Sequence, residues 1–146
     1  MKAWLLSFCL LLTSCAATTQ TTLLTFPAAR LQLDSVTVPV QLANTPTLRA
    51  QGLMFQQQAE PGMLLLYTEP QAISLWMRNT SMPLDVAFIT EDWTIHHIRQ
   101  LQPFDETPVP SEIAIIAALE MPQGWFAAQN LGKGTPVRLL AAEAKP

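Results

Sequence analysis

Between residues 36 and 42 the chain alternates, with Val36, Val38, Val40 and Leu42 on one side and Thr37, Pro39 and Gln41 on the other. A period of two is that of a half-buried strand. Pro39 has no amide hydrogen to give to a ladder, so this strand is expected at an edge or with a bulge. Trp93, Ile95, His97, Arg99 and Leu101 repeat the alternation against Thr94, His96, Ile98 and Gln100, which predicts another strand with one mixed face. Shorter apolar runs of strand length follow Gly62 (MLLLY) and span Ile73 to Met77, Leu84 to Ile89 and Val137 to Leu140. Ile113 to Met121 is apolar until Glu120, and periodicity alone leaves it open between strand and helix.

Helical signals are few. Thr45 before Pro46 reads as a cap followed by proline at the first helical position, opening a short helix over Thr47 to Gln51 that Gly52 stops. Leu53-Met54-Phe55 is then expected to turn inward. WFAAQNLG, from Trp125, predicts one or two helical turns closed by Gly132. Thr90-Glu91-Asp92 is turn chemistry, and QPFDETPVPSE, with three prolines and three acids, reads as loop. About seven short strands and two short helices predict a mainly β domain (a β-rich α+β chain). Its expected form is a compact barrel-like or rolled antiparallel sheet.

The first residues follow another logic. Lys2 precedes the apolar run LLSFCLLL, too short to cross a bilayer as a helix but of the proportions of a secretory signal. Leu12-Thr13-Ser14-Cys15 resembles the bacterial lipobox, in which cleavage leaves a cysteine that receives lipid. The expectation is a signal peptide over 1–14, a lipidated Cys15 with a tether over 15–30, and one domain over 31–142. An ordinary secretory signal, cut near Ala16 or Ala17, is the alternative. Cys9 and Cys15 are the chain's 2 cysteines, so the mature domain would hold neither thiol nor disulfide. Ala16 after the lipid site resembles lipoproteins sent to the outer membrane, where acyl chains would be the link to the membrane.

Charge narrows the partners. Of 8 basic residues one is Lys2, so the mature chain, with 11 acids, sits near −4. The remaining cations are scattered without a basic stripe, which argues against nucleic acid and against a polybasic membrane patch.

Gly52-Leu53-Met54, Gly62-Met63-Leu64, Trp76-Met77-Arg78-Asn79-Thr80, Pro83-Leu84-Asp85 and Leu119-Glu120 near Gly124 stand in a recognisable order and spacing. In this the chain resembles a bacterial and archaeal family, domain of unknown function 192, from about Val36 to Leu140. The resemblance implies a small, mostly β fold that often carries a signal peptide or lipid anchor. It implies no activity. Leu48 stands where an acid commonly precedes the arginine of the early helix, and Gly132-Lys133-Gly134 replaces a common Gly-Asp turn.

The block Trp76 to Asp85 sets polar residues between two apolar runs. As pure structure it is a connection between strands, with Trp76 in the core and Arg78 paired to Asp85 across a hairpin or to Glu120. As a site it is a recognition pocket. Trp76 would face a sugar ring or other flat group, Arg78 a carboxylate or phosphate, Asn79 and Asp85 hydroxyls, with Arg49 and Glu120 completing it. The expected role is a non-catalytic binding or accessory domain for an unknown envelope ligand or protein, without a cofactor. One alternative is a hydrolase using Asp85 and Glu120 as paired carboxylates. A remoter one is copper held by methionines and histidines, such as Met54, Met63, Met77, Met82 and Met121. Against metal, His96 and His97 as strand neighbours are expected to point to opposite faces. No zinc-ligand or glycine-rich phosphate motif occurs.

Overall fold

The computed structural model describes residues 24–140. The signal peptide over 1–14, Cys15, the tether as far as residue 23, and residues 141–142 of the expected domain lie outside the described residues. Nine strands and two short helices follow one another: β1 (Ala28–Leu33), β2 (Val36–Ala43), α1 (Pro46–Gln51), β3 (Gly62–Gln71), β4 (Ser74–Leu75), β5 (Leu84–Ile89), β6 (Ile95–Leu101), β7 (Val109–Pro110), β8 (Ile115–Pro122), α2 (Trp125–Ala128) and β9 (Val137–Leu140).

Seven of the strands form one sheet in the order β6-β5-β8-β3-β2-β1-β9, and β4 pairs with β7 apart from it. The pairing is antiparallel except between β2 and β3, which run parallel because α1 and the following loop carry the chain across. The sheet curls until its outer strands meet. A bridge joins Thr94 to Pro136, and Val137 donates its amide to the Trp93 carbonyl at 2.8 Å. A mostly β, half-barrel sheet with two short helices is thus the architecture. Pro39 sits where β2 has only β1 beside it, since β3 joins at Val40, so its missing amide hydrogen leaves the β2–β3 ladder intact.

Alternation divides the sheet's side chains between two cores. The concave face collects Leu31, Leu64, Ala87, Leu119 and Met121, with Ile95 and Val137 from the two edges. The convex face collects Met63, Leu65, Val86, Phe88 and Ala118, covered by Leu53, Leu75 and Met77 from the connecting segments. With both faces covered, every residue of β5 is buried, which is why Leu84–Ile89 reads as an apolar run rather than an alternation. Of the run Ile113 to Met121, the part from Ile115 onward resolves as strand for the same reason, since β8 lies between β3 and β5.

Several local expectations are corrected. Ile73 to Met77 does not pair with β5, so the stretch between them is no hairpin turn. Only Ser74–Leu75 is strand, and its partner is β7 within the proline-rich loop. Phe55 is exposed rather than packed inward, and Asn130, not Gly132, takes the left-handed backbone after α2. The ladder of β6 shifts by a residue opposite Phe88 and Ile89, leaving His96 unpaired. The bulge breaks the alternation, and Nδ1 of His96 and Nδ1 of His97 stand 2.9 Å apart. Burial foremost, then the neighbouring His96, holds His97 below the ordinary imidazole range.

Candidate functional site

The candidate site lies on the convex face, where α1, the end of β3, and the segment 74–80 surround a cavity of about 300 Å³. Thr45 sets the position of α1 by accepting the Leu48 amide at 3.2 Å, with Pro46 opening the helix. The last turn then carries Arg49 over the sheet. Its Nη1 donates to the Leu66 carbonyl at 2.7 Å, and its guanidinium lies 4.5 Å from the centre of the Tyr67 ring. Tyr67 ends the apolar run of β3, where the ladder with β8 becomes irregular. Burial raises its hydroxyl above the usual phenol range, Glu120 adding to this and Arg49 opposing it.

Glu120 enters from the middle of β8. It pairs in register with Met63 on one side and Val86 on the other, so it shares their convex face. Only 6 % exposed, it lines the cavity beside Leu65 and Leu84. Burial pushes its carboxyl up to about 7, and among the described residues no hydrogen bond or opposite charge counters this. A buried carboxyl without a partner is costly in its ionised form. Here it faces the cavity, the place from which a partner would come.

Trp76 is 45 % exposed, not in the core, and stands at the cavity's edge. The Arg78 guanidinium covers its ring at 4.2 Å. Arg78 in turn donates from Nε and Nη2 to one oxygen of Glu106, at 3.0 and 2.8 Å. The expected pairing of Arg78 with Asp85 or Glu120 is therefore replaced by an exposed pair with the proline-rich loop. Asn79 is exposed at a left-handed turn (φ 53°) and contributes its carbonyl, which accepts the Phe55 amide at 2.8 Å. Thr80 is 4 % exposed and lines the cavity, its hydroxyl donating to the Arg78 carbonyl.

Asp85 has a different role. It pairs in register with Met121 and so points into the concave core, away from Glu120. Its Oδ2 accepts the amide of Gly124 at 2.8 Å, holding the left-handed turn (φ 87°) that opens α2. Oδ1 is buried without a partner among the described residues. Because the two carboxylates lie on opposite faces of one sheet, they cannot flank a single bond, and the hydrolase built on them is excluded. Asp85→Ala is expected to cost about 1–3 kcal/mol. Arg78→Ala, by contrast, is expected to leave stability nearly unchanged. Urea unfolding of the two variants checks this, and similar losses would contradict the separation of roles.

Three expected residues thus meet around one cavity: Arg49, Trp76 and Glu120. Arg78, Asn79 and Asp85 stand outside it. Tyr67, Thr80 and Ser74 were missed. A tyrosine closing an apolar strand is the one available signal, since its polar tip needs a partner or an opening. Among the described residues no three His, Cys, Asp or Glu side chains gather as a metal site would require.

Solved structures that resemble the chain include two that are 30 % identical to it. One, from Sinorhizobium meliloti and described as a candidate transcription regulator, is 30 % identical with a TM-score of 0.75, covering 81 % of this chain and 98 % of its own. The other, a protein of unknown function from Novosphingobium aromaticivorans, is 30 % identical with a TM-score of 0.69, covering 86 % of this chain and 94 % of its own. No curated protein matches. Over residues 29–139 the sequence fits the model of domain of unknown function 192, described as Uncharacterized ACR, and the chain belongs to that family.

Proposed function

We propose that the protein is a lipid-anchored component of the bacterial envelope, held through Cys15 and facing the periplasm from the outer membrane, whose domain binds a small ligand without transforming it. The observation that carries the binding reading is Glu120, a buried carboxyl at the wall of a cavity with no hydrogen-bond partner among the described residues. A carboxyl whose titration is displaced by burial, set in the wall of a cavity, is the kind of group that marks a binding site.

The lining suggests the ligand's chemistry. Glu120 and the Tyr67 hydroxyl call for hydrogen-bond donors at the wall of the cavity, Arg49 for an anionic or carbonyl group beside it. Leu53, Leu65 and the Trp76 ring suit an apolar body or a sugar ring. A peptidoglycan fragment bearing hydroxyls, amides and a carboxylate combines these features. The scattered cations of this chain offer no electrostatic footprint for nucleic acid, which argues against a role in transcription like that named for the Sinorhizobium meliloti protein.

Calorimetric titration with soluble peptidoglycan fragments tests this. Binding should weaken at least ~10-fold, about 1.4 kcal/mol, in Arg49→Met and in Glu120→Leu, and persist in Arg78→Ala. Equal affinity in all three variants would sink the pocket. Mass spectrometry of the native product tests the anchor separately, by the mass of acyl chains on Cys15.

A further inference from the structure

We propose that the rim carrying Leu24, Phe55, Trp76 and Phe104 rests against the lipid surface, so that the cavity opens beside the membrane. This goes beyond the ligand reading and rests on the anchoring of Cys15.

These four are the exposed large hydrophobic side chains of the described residues, and they are not dispersed. The Leu24 amide donates to Oε1 of Gln51, at the end of α1, and Phe55 follows four residues later. The Phe55 amide donates to the Asn79 carbonyl, three residues beyond Trp76. The Phe104 amide donates to the Thr80 carbonyl at 3.0 Å, and the Met77 amide to the Asp105 carbonyl at 2.8 Å. Segments 51–55, 76–80 and 104–105 are therefore bound edge to edge. Scattered exposed apolar residues are ordinary, whereas a cluster of them marks a contact surface.

Backbone conformation points the same way. Phe55 and Phe104 hold φ of 63° and 60°, a left-handed region that a bulky residue occupies at a cost. Each ring is thus presented at a turn tip against its backbone preference as well as against its hydrophobicity.

The course of the chain names the occupant. It leaves the described domain at Leu24, on this rim, only nine residues after Cys15. Nine residues reach at most about 30 Å when extended. A lipid on Cys15 therefore draws this side of the domain, rather than the concave core on the other face of the sheet, toward the bilayer. Charge gives no help: Arg78 is paired with Glu106, the rim has no cluster of cations, and Asp105 adds an exposed carboxylate beside Phe104. Attachment would come from aromatic and aliphatic side chains entering the headgroup region, which does not depend on anionic lipid.

The test uses the acylated mature product in phosphatidylcholine vesicles, with and without bromine on the acyl chains. Subtracting the fluorescence of Trp76→Phe isolates the Trp76 signal from Trp93 and Trp125. Bromolipid should quench the Trp76 signal, and aqueous iodide should reach it less than in detergent. The Phe55→Ser/Phe104→Ser double variant should lose more than half of that quenching with thermal stability unchanged. An acylated product whose Trp76 is untouched by bromolipid and stays open to iodide overturns the rim contact while leaving anchor and cavity standing. A native product without acyl chains overturns the anchor, and the rim contact with it.

Discussion

Glu120→Gln is expected to make the ligand-free protein more stable at pH 8, by up to about 3 kcal/mol, and to change little at pH 4. The sign follows from the direction of the shift. Burial raises the Glu120 carboxyl from its ordinary 4.5 to about 7 in the folded protein. Below 4.5 the group is protonated in both folded and unfolded chains and its titration adds nothing. Between the two values the unfolded chain has released its proton while the folded one still holds it, so stability falls as pH rises. Above about 7 the folded protein carries an ionised, unpartnered carboxylate and the loss levels off. Glutamine has similar shape and no charge, so it removes this slope. Unfolding in urea at several pH values measures the difference, and parallel wild-type and variant curves would contradict it.

The second large effect is expected at Gly62. A Cβ there would stand 2.1 Å from Sδ of Met121 and 2.7 Å from the Glu120 carbonyl oxygen. The sulfur belongs to a flexible side chain and can move, but the carbonyl belongs to β8, held between β5 and β3, and cannot. Gly62→Ala is expected to cost at least about 2 kcal/mol, despite the usual gain in backbone entropy on replacing glycine. The same close approach brings β3 against β8 beside Glu120, so the variant should also weaken any ligand of the cavity. Adding Met121→Ala should recover only part of the stability, because the backbone contact remains. A urea midpoint for Gly62→Ala equal to that of the wild type would refute this account of the close approach.

The two effects trace back to features of different legibility in the sequence. Glu120 stood out as an acid inside an apolar run, and Arg49 as a cation at the end of a capped helix. Their meeting with Trp76 around one space follows from the alternation of β8 and the placement of α1. Asp85 looked equivalent to Glu120, yet a single step of register decides the face of a strand residue. Asp85 faces with Met121, Glu120 with Met63 and Val86. That parity requires the partner strands, which no local pattern supplies.

Other differences have the same origin. β1 (Ala28–Leu33) is only six residues long and is fixed by β2 and β9 on either side, so its strand character is tertiary. Val109–Pro110 is strand only because Ser74–Leu75 lies against it. The partner of Arg78, Glu106, belongs to a loop whose path could not be read from composition. Tyr67 was legible as the end of a strand but not as part of a site. Its role depends on Arg49 arriving from α1, above its ring.

One group is central: Glu120, an acid kept inside the protein with no hydrogen-bond partner among the described residues. Carbon-13 NMR of the Glu120 side-chain carboxyl, assigned through Glu120→Gln and followed from pH 3 to pH 9, observes it directly. A midpoint near 7 that falls on addition of a cationic or strongly donating ligand is the expected result. A midpoint at an ordinary glutamate value, near 4.5, would mean that Glu120 is already hydrated or paired, and the cavity would lose its claim to be the site.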